Sequence, residues 1–294
     1  MSRPGRLKVG VIGAGRVGAV LGAALRAAEH DIVGATGVSE ESLSRIDALL
    51  PGVPVMDPQE VAQAADLVLM TVPDDSIAAV TAGLASLGAW RPGQIVIHAS
   101  GRWGTEALAD AASKGAMPLA IHPAMTFTGT SLDLTRMTGA AFAVSAAAPL
   151  LPIAQALAVE MGGEPIVIDD ADRAAYHAAL VHGANHVVTA VSQAAGLLAR
   201  IGVERPDRVL GPLVHASVDG ALGDAPGAVS TLTGPVVRGD AGTVAAHLAT
   251  LIDQPEALHA YRAMARATAD LALHGGRIGP AAYADIIATL GVDP

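Results

Sequence analysis

The chain has 294 residues, 51% of them apolar but only 2% aromatic, so it can bury a sizeable core, in one large domain or two, built from Ala, Val, Leu and Ile. With no cysteine, disulfides, thiolate zinc sites and cysteine nucleophiles are excluded, and with lysine only at Lys8 and Lys114 a lysine acid in the second half is excluded too. A net charge of −10 with 16 scattered arginines argues against a nucleic-acid partner and for an acidic, soluble, cytoplasmic protein.

The segment Met1 to Lys8 leads into an apolar run broken by glycines, which reads as a strand and not as a signal peptide. That strand runs from Lys8 into Gly13-Ala14-Gly15-Arg16-Val17-Gly18, a GxGxxG turn that opens an apolar helix through Val17, Leu21, Ala24 and Leu25. In this context Gly13 makes the tight turn, Gly15 leaves room for a pyrophosphate, and Gly18 lets the helix pack on the strand. The helix N-terminus then offers free N–H groups and partial positive charge to the phosphates. A second strand, Asp31 to Gly37, ends in Thr36-Gly37-Val38-Ser39 without the carboxylate that holds an NAD ribose. NADP is therefore the expected cofactor, with Ser39, Ser42 or Arg45 available to a 2′-phosphate. Ser39 also suits the N-cap of the helix Glu40 to Leu50.

Further strands are expected at Asp66 to Val72, Gln94 to His98 and Pro118 to Ile121, each followed by turn residues and, after the first two, a helix start. This alternation predicts an α/β domain, a doubly wound and mainly parallel Rossmann sheet. Ligands of such sheets lie beyond the carboxyl ends of the strands. Val72-Pro73-Asp74, Ala99-Ser100 and a His122-Pro123 turn occupy that rim. Residues 124 to 139, rich in hydroxyls, read as a loop over the site. A strand at Ala140 to Val144, a helix from Pro152 to Gly162 and a strand at Pro165 to Ile168 complete a domain of residues 1–168. The uncharged stretch from Arg136 to Glu160 is long enough to test as a membrane span, but Pro149 and Pro152 split it, and no membrane partner is expected. Residues 169–294 read as an all-α domain with helices over Asp172–Ile201, Pro206–Ala221, Ala241–Ile252, Pro255–Leu273 and Pro280–Leu290.

Reduction of a carbonyl or imine by hydride needs positioning, a proton donor and polarising hydrogen bonds. Histidine suits the donor. His122 sits at a strand's carboxyl end, whereas His98 is expected to be buried in the sheet. On a regular helix His177 and Asn185 fall within about 80° of each other, so both can face one cleft. His182 and His186 have the i, i+4 spacing of metal ligands, but Gly183 stands where the metalloprotease pattern needs Glu, and no third ligand presents itself. No metal is assigned.

These pieces, with Thr71-Val72-Pro73-Asp74-Asp75, His98-Ala99-Ser100-Gly101, His122-Pro123-Ala124-Met125-Thr126-Phe127, Tyr176-His177, Asn185-His186 and Leu232-Thr233-Gly234-Pro235 with Arg238-Gly239-Asp240, resemble a family of two-domain Rossmann-like oxidoreductases of largely unassigned function. Its helical domain is similar to those of pyrroline-5-carboxylate reductase and ketopantoate reductase, within the 6-phosphogluconate dehydrogenase C-terminal-like superfamily. The resemblance implies NADP-linked reduction and a homodimer built through the helical domain. It also departs from ketopantoate reductase, since His177 stands at the catalytic lysine position and Val181 at an asparagine position. The His122-Pro123 pair resembles the catalytic histidine turn of prephenate dehydrogenases.

The resulting expectation is an NADP-dependent oxidoreductase acting on a small 2-oxo acid, ketopantoate-like, or an imine at the interdomain cleft. His122 or His177 would donate the proton, Asn185 and Ser100 would orient the substrate, and Ser230, Thr231 or Arg238 would hold its carboxylate. Gly13, Ala14, Gly15, Arg16, Val17, Gly18, Ser39, Val72, Pro73, Asp74 and Ala99 would bind the cofactor. The rival class is a non-catalytic NADP(H)-binding sensor or interaction protein.

Overall fold

The computed structural model describes residues 5–223 and 228–291. In chain order the first unit comprises β1 (Lys8–Ile12), α1 (Arg16–Ala27), β2 (Asp31–Ala35), α2 (Glu40–Leu49), α3 (Pro58–Ala64), β3 (Leu67–Met70), α4 (Ile77–Ser86), β4 (Ile95–His98), α5 (Ala109–Ala112), β5 (Met117–Pro123), α6 (Leu132–Arg136), β6 (Ala141–Ser145), α7 (Leu151–Glu160), β7 (Glu164–Val167) and α8 (Arg173–Leu180). The sheet order is β2-β1-β3-β4-β5-β6-β7. All neighbours run parallel except β5 and β6. The order reverses direction at β1, which puts the ligand crevice of such a sheet beyond Ile12, at the glycine turn.

Strand side chains alternate between two apolar layers, as a period of two requires. Val9, Val11, Leu67, Leu69, Ile95, Ile97, Leu119 and Ile121 face one core with Leu21 and Leu25 of α1. Ile12, Val68, Met70 and Val96 face the other, with Val61 of α3 and Ile77 and Leu84 of α4. Both faces are covered, so β3 and β4 are buried at every residue.

The first compact unit runs to Val181. Within it Arg173 and Tyr176 reach back to the sheet, and Thr105 binds Asp170. Three expectations are corrected. Residues 124–139 are not all loop, because α6 forms there over a buried Asp133. His122 and Pro123 do not form a turn. They remain in β5, where His122 pairs with Ala143 and Pro123 with Phe142 of the antiparallel β6. Finally, the helix expected over Asp172–Ile201 is interrupted by a π turn at Val181–Asn185.

The second unit begins at His182. It contains α9 (His186–Arg200), α10 (Pro206–Leu222), α11 (Pro235–Arg238), α12 (Ala241–Thr250), α13 (Pro255–His274) and α14 (Pro280–Leu290). Its described residues form no strand. Its core gathers Val236, Val237, Val244, Ala265, Ala269, Ala272, Ile286 and Leu290, side chains small enough for helices to approach closely. Among the described residues no helix is long and apolar enough to cross a membrane.

Candidate active site

The glycine turn is built to leave space for a ligand. Gly13 has φ +95°, open to glycine, and its N–H donates to Thr36 Oγ1 at 2.8 Å while its carbonyl accepts from Thr71 Oγ1 at 2.8 Å. The Ala14 N–H donates to the Thr36 carbonyl at 2.8 Å, which ties the turn to the end of β2. A Cβ on Gly18 would lie 2.2 Å from Thr71 Oγ1 and 2.4 Å from the Gly13 carbonyl, so only glycine lets α1 start this close to β3. At Gly15 a Cβ would meet nothing within 4 Å, and no side chain caps the helix that begins at Arg16. Arg16 and Val17 thus stand at a helix N-terminus that faces free space, the arrangement that receives a pyrophosphate. The residues fit a dinucleotide.

Ser39 caps α2. Its hydroxyl accepts from the Ser42 N–H at 3.2 Å, and Ser42 Oγ accepts from the Ser39 N–H at 3.0 Å. This reciprocal pair is the reason the chain turns into a helix at Glu40.

Val72, Pro73, Asp74, Ala99 and Ser100 lie at the carboxyl ends of β3 and β4. Ser100 is buried, and its hydroxyl donates to Asp74 Oδ2 at 2.6 Å while accepting from the N–H groups of Arg102 and Trp103. The Ser100 hydroxyl is therefore engaged in holding the rim together. His98 is fully buried, and its Nδ1 accepts from the Ser100 N–H while Nε2 bonds the Gly104 carbonyl at 2.8 Å. Burial pushes its pKa down and keeps it neutral.

His122 comes from β5 and His177 from α8, with ring centroids 6.2 Å apart and an edge-on angle of 84°. Between them lies Gly101, where a Cβ would come 2.8 Å from His177 Cδ2 and 2.9 Å from His122 Nε2. The rim thus presents two imidazoles against one bare stretch of backbone. Tyr176, beside His177 on α8, makes a 2.9 Å hydrogen bond to His122 Nδ1. Burial, then the charge of Arg173 and then His177, lowers the His122 pKa to about 4, so the ring is neutral at physiological pH. Burial raises the Tyr176 pKa, and Arg173 opposes that.

Arg173 organises this corner. Its side chain is fully buried, yet Nε donates to Ser145 Oγ at 2.8 Å, Nη1 to the Ser100 carbonyl at 3.0 Å, and Nη2 to the carbonyls of Ala120 at 2.9 Å and Ala143 at 3.0 Å. One planar fork thereby links the ends of β4, β5 and β6. Neither Arg173 nor Tyr176 carries a role of its own in the sequence reading. A basic residue in the first turn of an Ala-rich helix, where the helix dipole disfavours it, is the signal that could have found Arg173.

Asn185 is exposed at the end of the π turn, and its carbonyl accepts from Thr189 Oγ1. His182 and His186 are exposed, with their Nδ1 atoms 3.0 Å apart. Among the described residues no three His, Cys, Asp or Glu gather as metal ligands. Arg238 ends α11 and lines a cavity of about 630 Å³ with Thr233, Gly234, Arg277 and Gly279. Thr231 is exposed and packs near Gly220, and the side chain of Ser230 lies outside the described residues.

Sheet order, reversal at β1 and the glycine turn define a Rossmann-like domain, and residues 1–123 match the model of that domain. Residues 140–268 match the model of a domain of unknown function (DUF2520). The chain is thus a two-domain protein, a Rossmann-like domain followed by a DUF2520 domain. No curated protein matches it. Among solved structures it is similar to a nominal NADP oxidoreductase from Bacteroides fragilis, at 21% identity over 90% of this chain and 98% of that one, with a TM-score of 0.74. It is also similar to pyrroline carboxylate reductase of Plasmodium falciparum with NADP bound, at 13% identity over 90% and 98% of the two chains and a TM-score of 0.57. An imine reductase from Pseudomonas sp. shares 17% identity over 96% and 92%, with a TM-score of 0.58. At these identities the likeness is one of fold.

Proposed function

We propose that the protein is an NADPH-dependent reductase of a small 2-oxo acid or imine, with its proton-donating centre at His122. The observation that carries this reading is the neutral His122 at the rim of the sheet, hydrogen-bonded through Nδ1 to Tyr176 and turned through Nε2 toward Gly101. NADPH, when bound, supplies hydride to the substrate carbon. Tyr176, kept protonated by burial, donates to Nδ1, so the imidazole proton sits on Nε2. That N–H polarises the carbonyl oxygen or imine nitrogen and protonates it as negative charge develops, while Nδ1 takes the Tyr176 proton in return. Arg173 stabilises the tyrosinate left behind, and water restores its proton. His177, at the other side of Gly101, is the alternative donor. The names of the NADP-bound reductase and the imine reductase with this fold support the cofactor and the substrate class.

The second copy of this chain is proposed as its partner. Helices α9 and α10 pack on each other, yet neither contains a buried residue. Val188 at 67%, Leu213 at 62% and Leu222 at 81% exposure leave an apolar face that a homodimer would cover.

The test is NADPH oxidation with ketopantoate, other 2-oxo acids and cyclic imines, repeated with His122→Ala, His177→Ala and Tyr176→Phe. Turnover of one class, lost in His122→Ala and reduced about tenfold in Tyr176→Phe, is expected, since the hydrogen bond that supplies the relayed proton is removed. Wild-type rates in His122→Ala overturn the assignment of the donor. Tight NADPH binding with no turnover of any substrate overturns the reductase reading in favour of a sensor.

A further inference from the structure

The second unit gathers two imidazoles and a thioether that take no part in this mechanism. His182 lies in the π turn and His186 opens α9, with their Nδ1 atoms 3.0 Å apart, their ring centroids 5.0 Å apart and their planes at 86°. Both residues are exposed, so the rings face each other across a contact that burial does not impose. Two nitrogens bound to one metal ion, each at about 2.0 Å, lie about 2.8 Å apart at a right angle and about 3.3 Å apart in a tetrahedron. The 3.0 Å separation falls between those limits, so the pair already has the bite of a chelate. Spacing along α9 supplies no further ligand, and the tertiary structure brings one from another helix.

Met264 of α13 lines a cavity of about 300 Å³ together with His182 and His186. The rest of its wall is made by uncharged side chains of α9 and α13, among them Val187, Ala260 and Ala263, and no Asp, Glu, Lys or Arg lines it. The donors decide which ion fits. Mg²⁺ and Ca²⁺ take cages of oxygen ligands, which this cavity does not offer. Zn²⁺ draws on thiolate, imidazole and carboxylate, and a thioether is none of these. Imidazole suits copper, and the soft thioether selects its monovalent state. A single charge is also less costly than two to bring against an apolar wall.

We propose that His182 Nδ1, His186 Nδ1 and the Met264 thioether bind one Cu(I) ion, which ties the start of α9 to the middle of α13. The imidazole whose Nδ1 carries the shared proton passes it through solvent to its own Nε2, both Nδ1 lone pairs then bind the ion, and no electron is transferred. None of the three residues belongs to the reductive chemistry, so the site stands or falls apart from it. The full chain is titrated anaerobically with Cu(I) in competition with the coloured chelator bicinchoninic acid. The wild type is expected to capture one equivalent. His182→Ala and His186→Ala each weaken capture at least about a hundredfold, more than the loss of a group behind a ligand costs. Met264→Leu weakens it about tenfold and removes sulfur from the copper shell in X-ray absorption. His274→Ala, at an exposed histidine on the same helix α13, leaves affinity within about twofold. In thermal unfolding Cu(I) raises the Tm and Zn²⁺ does not. Unchanged capture in His182→Ala, or equal weakening in His274→Ala, overturns the site. A sulfur shell that survives in Met264→Leu overturns the third ligand, and equal stabilisation by Zn²⁺ overturns the choice of metal. All the replaced side chains are exposed, Met264 at 55%, so the variants keep the fold.

Discussion

Acidification from pH 7.5 to 4 is expected to destabilise the protein through His122. In the open chain this histidine takes a proton near 6.5, whereas in the folded rim it does so only at about 4. Above 6.5 the ring is neutral in both states and contributes no pH dependence. Between the two values only the unfolded chain gains the proton, so each unit of acidification costs the fold about 1.4 kcal/mol. The accumulated loss approaches about 3 kcal/mol and levels off below pH 4, where the folded ring is also charged. His98, likewise held neutral by burial, adds to the slope in the same direction. His122→Gln cannot titrate and isolates the contribution. Urea unfolding of the wild type and of His122→Gln at half-unit pH steps gives the difference curve, and proton–nitrogen NMR follows the imidazole directly. Coincident slopes for the two proteins, or a His122 resonance that titrates above pH 6, would refute the reasoning.

Arg173→Met leaves the carbonyls of Ser100, Ala120 and Ala143 and the Ser145 hydroxyl without their donor. The expected loss is about 3–5 kcal/mol in chemical denaturation, and a change under about 1 kcal/mol would contradict the clamp. Gly18→Ala drives a Cβ into Thr71 Oγ1 and the Gly13 carbonyl, so it should cost about 1–3 kcal/mol and abolish NADPH binding measured by fluorescence quenching. Unchanged affinity would mean that the turn does not hold the dinucleotide. Val188→Lys with Leu213→Lys should yield monomers in sedimentation velocity, where the wild type is expected to sediment as a dimer. A dimeric double variant would place the self-association elsewhere.

Much of the fold is legible in the sequence because its signals are local. The run Val9 to Ile12 into Gly13, the continuous apolar stretch at Leu67 to Met70 and the Ser39 cap each specify an element from a few neighbouring residues. The helix patterns of the second half are equally local, since Pro206, Pro255 and Pro280 each open a helix. The position of His122 near the rim follows from its place late in a strand.

The linking of the rim follows from no such pattern. Arg173 is separated by 73 residues from Ser100 and by 53 from Ala120, and only the approach of α8 to the sheet makes their carbonyls its partners. The π turn at Val181–Asn185 likewise interrupts the helix that regular periodicity predicts over Asp172–Ile201. The glycine turn, the strands, the all-helical second half and the absence of cysteine chemistry were determined by sequence alone, through dihedral preference and hydrophobic period. Tertiary structure decided that Ser100 is hydrogen-bonded to Asp74, that His122 is neutral and partnered by Tyr176, and that Arg173 reaches the carbonyls of Ser100, Ala120 and Ala143. Those outcomes depend on burial and on contacts between distant segments, and neither quantity is carried by the spacing of residues along the chain.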